Sequence, residues 1–177
     1  MVLTSTRWNS KLAILALDLS LNSTGFAVLE WDSELQKATV LELGHIDNKK
    51  QGRMKWSHGQ KLHRIYTALG NIQQPYHIDT VVREKGVTRF NKATQAIFRV
   101  VGIADLFAYV SLGQTCQEIG ITEAKKLITG SGKAEKEQVA TAVQEYLTAP
   151  VEFAVDDESD AVAVGVAYCL KQEEQYA

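Results

Sequence analysis

The sequence predicts an α/β fold: a five-stranded mixed sheet with helices on both faces. Three observations carry that expectation. Leu12–Leu17 is apolar at every position, as a strand covered on both faces must be. It heads three closely spaced strand-like segments, which suits an antiparallel meander. Beyond them, helical and strand-like periods alternate, the pattern of β–α crossovers.

The elements follow in order. Leu12–Leu17 is the first strand and ends in Asp18. Asp18–Gly25 is rich in turn residues, Phe26–Trp31 resumes as a strand, and Ala38–Leu43 gives a third. Leu62, Ile65, Leu69 and Ile72 then fall at helical spacing behind Ser57, a good N-cap. Ile78–Arg83 reads as the fourth strand, crossing back through that helix to lie beside the first. Thr94–Tyr109 is a helix with Ile97, Val100, Val101, Ala104 and Phe107 on one stripe. A short strand near Thr115–Glu118 completes the sheet, and a helix over Thr122–Ile128 ends at Thr129–Gly132. Ala134–Leu147 reads as one amphipathic helix through Val139, Val143 and Leu147. Glu158–Leu170 is apolar on nearly every face, so it is a buried helix.

At 177 residues, 45% hydrophobic and 23% charged, the chain is expected to form one domain over residues 1–177. The net charge of −2 hides a segregation. Asn48–Ile78 contains no acid but holds Lys49, Lys50, Arg53, Lys55, Lys61 and Arg64. Between Arg83 and Arg99 the only acid is Glu84, among Lys85, Arg89 and Lys92. Asp156, Asp157, Glu158 and Asp160 crowd near the C-terminus. Such segregation suggests a polyanion partner together with a cation site. An unevenly charged solvated surface is the ordinary alternative. Cys116 and Cys169 lack metal-ligand spacing, so buried thiols are expected and zinc is not. The apolar run 12–17 is too short for a bilayer span, and the leader Met1–Lys11 lacks a signal-peptide core. A cytoplasmic protein without a membrane is expected, although the Ser, Thr and Arg of the leader leave organelle targeting open.

The acids carry the chemistry. Asp18 ends the first strand, Glu84 ends its expected neighbour, and Asp157 and Asp160 share one face of the last helix. If that helix end abuts the strand ends, four carboxylates converge. Repulsion then demands cations, and hard oxygen ligands favour Mg²⁺, with Mn²⁺ able to substitute. Two ions ~3.5–4 Å apart can activate water and stabilise a leaving oxygen in phosphodiester cleavage. Taken singly, each acid has a plainer role as a turn cap, an exposed strand end or a complement to a helix dipole.

The motifs Asp18-Leu-Ser-Leu-Asn-Ser-Thr-Gly-Phe-Ala27, Arg83-Glu84, Gly130–Val139 and Asp157-Glu-Ser-Asp160-Ala-Val-Ala163 resemble RuvC Holliday-junction resolvases, in the same order along nearly the whole chain. The resemblance implies a ribonuclease-H-like fold, a homodimer, and Mg²⁺-dependent paired nicking of four-way DNA junctions. It implies catalytic and metal-binding roles for Asp18, Glu84, Asp157 and Asp160, and DNA contacts by Lys125 and Lys136. Asp156 competes with Asp157, but the family's final pair is spaced i, i+3. The family often places a stacking aromatic where this chain has Val87, and Phe90 nearby is either its substitute or core. The basic loop Lys49–Trp56, with Lys50, Arg53 and Lys55, is longer than is usual in the family. These departures fit a divergent, phage-type member that also accepts forks.

Lys133, in Gly130-Ser-Gly-Lys133, joins the DNA-binding candidates with Arg89, while a P-loop is excluded because Ala134 follows the lysine. The amides at that helix start could grip phosphate. Trp56 is either a stacking platform or a packing anchor. The four histidines are given no role. Three other functions stay open: a non-catalytic junction-binding module, a ribonuclease, and a nucleotide-binding relative of the same fold.

Overall fold

Alternation along the first strand decides the layout. In the computed structural model, which describes residues 11–49, 55–86 and 92–176 (without side chains at 92–94 and 176), β1 (Lys11–Asp18) lies mid-sheet. β2 (Ser23–Asp32) and β3 (Lys37–Asp47) follow as an antiparallel meander. The chain crosses through α1 (His58–Gln73) to β4 (Thr80–Glu84), parallel to β1, and through α2 (Lys92–Leu112) to β5 (Gln117–Ile119). The strand order is β3-β2-β1-β4-β5. Then come α3 (Ile121–Thr129), α4 (Lys136–Ala142) and α5 (Asp156–Tyr176).

Successive side chains of a strand point to opposite faces. Ile14 and Ala16, with Ala27, Leu29 and Val82, join one core with Ala161, Val162 and Val166 of α5. Leu15 and Leu17, with Phe26, Val28 and Val81, join a second core with Ile65 and Leu69 of α1 and Val100, Ala104 and Phe107 of α2. Both faces of β1 are therefore covered, which explains its unbroken apolar run. Ser57 caps α1 in a capping box with Gln60. Residues 95–112 of α2 are long and apolar enough to cross a membrane, but part of that stripe is core. Both cysteines are buried, and burial pushes the Cys116 thiol up to about 12.

Three expectations need correction. The segment expected as one helix over Ala134–Leu147 is α-helical only in α4, followed by a 3₁₀ turn over Val143–Tyr146. The cause is β3: Leu147 bridges Ala38, and Thr148 N–H donates to the Ala38 carbonyl at 2.9 Å, so the chain must extend there. Helix α5 starts two residues before the expected Glu158. Ile97 of the α2 stripe is 38% exposed and not core.

Gly165 shows how closely α5 seats. A Cβ there would lie 2.5 Å from Leu29 Cδ1 and 2.9 Å from Ala16 Cβ. Gly165→Ala is expected to cost about 1–3 kcal/mol of stability through overpacking. A denaturant midpoint that drops at unchanged slope checks this, and an unchanged midpoint contradicts it.

Candidate active site

The alternation that fills the α5-side core also aims the acids. Asp18 follows Ile14 and Ala16 in phase, and Glu84 follows Val82. Leu17 pairs with Arg83, so Asp18 and Glu84 leave the sheet side by side on the α5 face. Asp18 itself pairs with Gly25 across the β1–β2 ladder. A Cβ on Gly25 would lie 1.9 Å from the Asp157 carbonyl oxygen, which only glycine permits. The first turn of α5 therefore rests on the rung that carries Asp18. Asp160, three residues along α5, reaches the same cleft.

That cleft has a volume of about 180 Å³ and is lined by Asp18, Glu84, Lys125, Lys136 and Asp160, backed by Ile119 and Val139. Burial pushes the Asp18 carboxyl from 3.8 up to about 7, helped by the charges of Asp160, Glu84 and Asp157 and opposed by Lys136. Burial and then Asp160 raise Glu84, against Lys136 and Lys125. Lys136 Nζ donates to Asp160 Oδ2 at 2.5 Å, a bond that raises the lysine. Lys125 Nζ donates to the Ala134 carbonyl at 2.6 Å.

Convergence of the four acids is looser than expected. Asp157 acts on Asp18 but is not part of the cleft lining, and its carboxylate accepts a hydrogen bond from Ser23 Oγ. Among the described residues no three His, Cys, Asp or Glu side chains are grouped to hold one ion. Ser23 and Lys136 already occupy the carboxylates that would have to turn inward. The donors nonetheless fit a hard divalent cation. They are carboxylate oxygens, without thiol or imidazole, and burial together with their mutual repulsion raises Asp18 and Glu84 above the usual carboxylate range. Of the two competitors for the first place in the pair, Asp157 acts on Asp18 and Asp156 does not figure among the charges that raise it.

Several functional neighbours carried no sequence signal. Ser23 anchors Asp157. Glu158, 6% exposed, ties α5 to β3: Oε1 meets His45 Nδ1 at 3.1 Å and Oε2 accepts the Ala154 N–H at 2.8 Å. His45, a histidine without ligand spacing in the sequence, lies opposite Gly25 in the β2–β3 register, so its contact with Glu158 braces the site. Arg83 does not join the basic surface. It is 6% exposed and pairs with Asp105 at 3.3 Å and Glu118 at 2.5 Å behind Glu84.

Of the basic candidates, Lys49, Lys55 and Lys133 are exposed. Lys50, Arg53, Arg89, Phe90 and Val87 lie outside the described residues. Trp56 lies 4.8 Å beneath the Arg64 guanidinium. Gly130, at φ 77°, caps the end of α3, as its turn chemistry suggests. The start of α4 is not the phosphate grip expected of it, because Glu135 is its N-cap and brings a negative charge to that end.

A family model described as crossover junction endodeoxyribonuclease RuvC matches residues 14–168. The crossover junction endodeoxyribonuclease RuvC of Ehrlichia ruminantium (strain Gardel) is 33% identical over 162 residues, covering 88% of this chain and 94% of that protein. The Dictyoglomus thermophilum protein of the same name is 28% identical, covering 90% and 98%. Among solved structures, T. thermophilus RuvC in complex with a Holliday junction substrate superposes at TM-score 0.80 and 19% identity, covering 93% and 96%. A yeast mitochondrial Holliday junction resolvase does so at 0.68 and 11%, covering 97% of this chain and 84% of that one. These likenesses bear out the ribonuclease-H-like fold.

The raised Asp18 carboxyl makes stability depend on pH and metal. The folded group holds its proton to about pH 7, whereas the unfolded group releases it near 3.8. Its contribution to stability is thus full below 3.8 and lost as pH rises through about 7. Metal-free protein should melt lower at pH 8 than at pH 5, and Asp18→Asn should flatten that trend. A divalent cation, which favours the ionised form, should raise the melting temperature more at pH 8 than at pH 5. Equal metal-induced shifts at both pH values contradict the assignment.

Proposed function

This chain belongs to the RuvC family of crossover junction endodeoxyribonucleases, and from that premise we propose that Asp18, Glu84, Asp157 and Asp160 are its catalytic, metal-holding set. The family's activity is metal-dependent, structure-selective resolution of Holliday junctions. The observation that most supports the residue assignment is the partly protonated Asp18 beside Glu84 and Asp160 in one cleft. Residues 1–177 act as one nuclease domain, and its location is cytoplasmic.

The ions are Mg²⁺, two per site, with Mn²⁺ as a substitute. Once bound to these carboxylates they supply Lewis-acid stabilisation of the cleaved phosphodiester and an activated water. The remaining work belongs to side chains seen here. Ser23 holds Asp157, and the Glu158–His45 contact sets the start of α5, so the acids keep their spacing. Lys136, which donates to Asp160, would turn to a DNA phosphate if that carboxylate held a cation, and Lys125 and Lys133 would extend that contact. Lys49, Lys50, Arg53 and Lys55, with Arg89 and Phe90, contact DNA beyond the cleft.

RuvC resolvases work as homodimers, and paired nicks need two clefts. On α2, Phe98 is 46% exposed, Leu106 50%, Tyr109 70% and Val110 61%, an uncovered apolar stripe beside the buried one. This stripe supports α2-to-α2 pairing between subunits. Four-way junctions are the preferred substrate, and forks are also cut.

Asp18→Asn and Glu84→Gln should each slow cleavage of a labelled immobile four-way junction about a thousandfold, ~4 kcal/mol of barrier. Junction binding without metal should stay within a few fold of wild type. Cleavage by either variant at the wild-type rate contradicts the assignment.

A further inference from the structure

Helix α1 carries cationic groups that the proposed reaction leaves unused. Lys61 and Arg64 are three residues apart, so they share one face of the helix. Lys49, two residues beyond β3, and Lys55 before α1 are exposed nearby in sequence. Among the described residues none of these four has a carboxylate within ion-pair distance, whereas Lys11, Arg83, Lys136 and Lys171 each have at least one. The acid-free stretch from Asn48 to Ile78 explains the difference locally.

These cations are nevertheless held in place, and by neutral groups. Lys61 Nζ donates to Asn22 Oδ1 at 2.5 Å, and Arg64 Nε donates to Asn48 Oδ1 at 2.9 Å. Asn48 is fully buried. Its Nδ2 donates to the carbonyls of Leu21 at 3.3 Å and Lys61 at 3.2 Å, and its N–H donates to Asn22 O at 2.8 Å. This hub joins α1 to the turn that follows Asp18. Trp56 under the Arg64 guanidinium restrains that side chain further. Amide oxygens orient the cations without neutralising them, so their charge stays available to a polyanion.

Position then narrows the partner. The cleft, with Lys125 and Lys136, lies on the α5 face of the sheet, while α1 packs on the opposite face. Asn22, four residues beyond Asp18, connects the two sides. A straight duplex seated in the cleft follows one face, whereas a second arm diverging at the branch can reach the other. We propose that Lys61 and Arg64, with Lys49 and Lys55, form a second DNA-binding surface. It takes the phosphate backbone of a junction arm that is not being cut, and so favours branched over linear DNA. This inference rests on the junction-resolving function stated above.

The test is fluorescence anisotropy in EDTA with a labelled immobile four-way junction and a linear duplex of one arm's sequence. Lys61→Gln/Arg64→Gln should weaken junction binding about tenfold and leave duplex binding within about twofold. The slope of log affinity against log salt should shrink by about 2 for the junction. Lys49→Gln/Lys55→Gln, which alters exposed side chains, should shift junction binding in the same direction even if the first variant folds poorly. Unchanged junction affinity in both variants, or equal losses on junction and duplex, overturns the second surface. Wild-type protein that ignores the junction overturns the functional reading and this surface with it.

Discussion

Helix α5 rests on the sheet at a distance that only glycine allows. Gly25 meets the Asp157 backbone at one end of the contact, and Gly165 meets Leu29 and Ala16 further along. Because Gly25 pairs with Asp18, the first close approach falls on the rung that carries the strand-ending acid. Asp157 is thereby set beside Asp18, and Asp160 enters the cleft by helical spacing alone. The packing of an apolar helix thus determines where the charged groups meet.

That meeting is electrostatically costly, and the neighbourhood is built to contain it. Asp18 and Glu84 are both pushed toward protonation by burial and by their fellow carboxylates. Lys136 answers part of the excess from α4, and Ser23 satisfies Asp157 from β2. Behind the site, Arg83 pairs with Asp105 of α2 and Glu118 of β5, which links the Glu84 strand to the helix bearing the exposed apolar stripe. A hard divalent cation resolves the same repulsion more completely than one lysine, which is why a charge-strained cleft suits a metal-dependent nuclease.

Much of this was legible from sequence because it depends on period and phase. The apolar run of β1, the turn after Asp18 and the i, i+3 spacing of Asp157 and Asp160 all state their geometry locally. Glu84 was legible for the same reason, as the last residue of a strand expected beside β1. What escaped depends on contacts between segments far apart in the chain. Ser23 looks like an ordinary turn serine, His45 like a solitary histidine, and Glu158 like one more acid in a run. Their partners lie 134 and 113 residues away. Arg83 read as part of a basic stretch, although the phase that turns Glu84 to the α5 side turns Arg83 into the opposite layer. The early end of α4 was hidden too, since it follows from pairing with β3 and not from helix propensity.

The most direct measurement is Mg²⁺-dependent cleavage of a four-way junction by Gly25→Ala, alongside metal-free junction binding and a thermal melt. A methyl group there must lift the start of α5 away from Asp18 while every carboxylate, lysine and core residue remains. A folded protein that binds the junction but cuts at least about a hundredfold more slowly is the expected result. Cleavage at the wild-type rate with the same metal requirement would show that the acids do not depend on this contact.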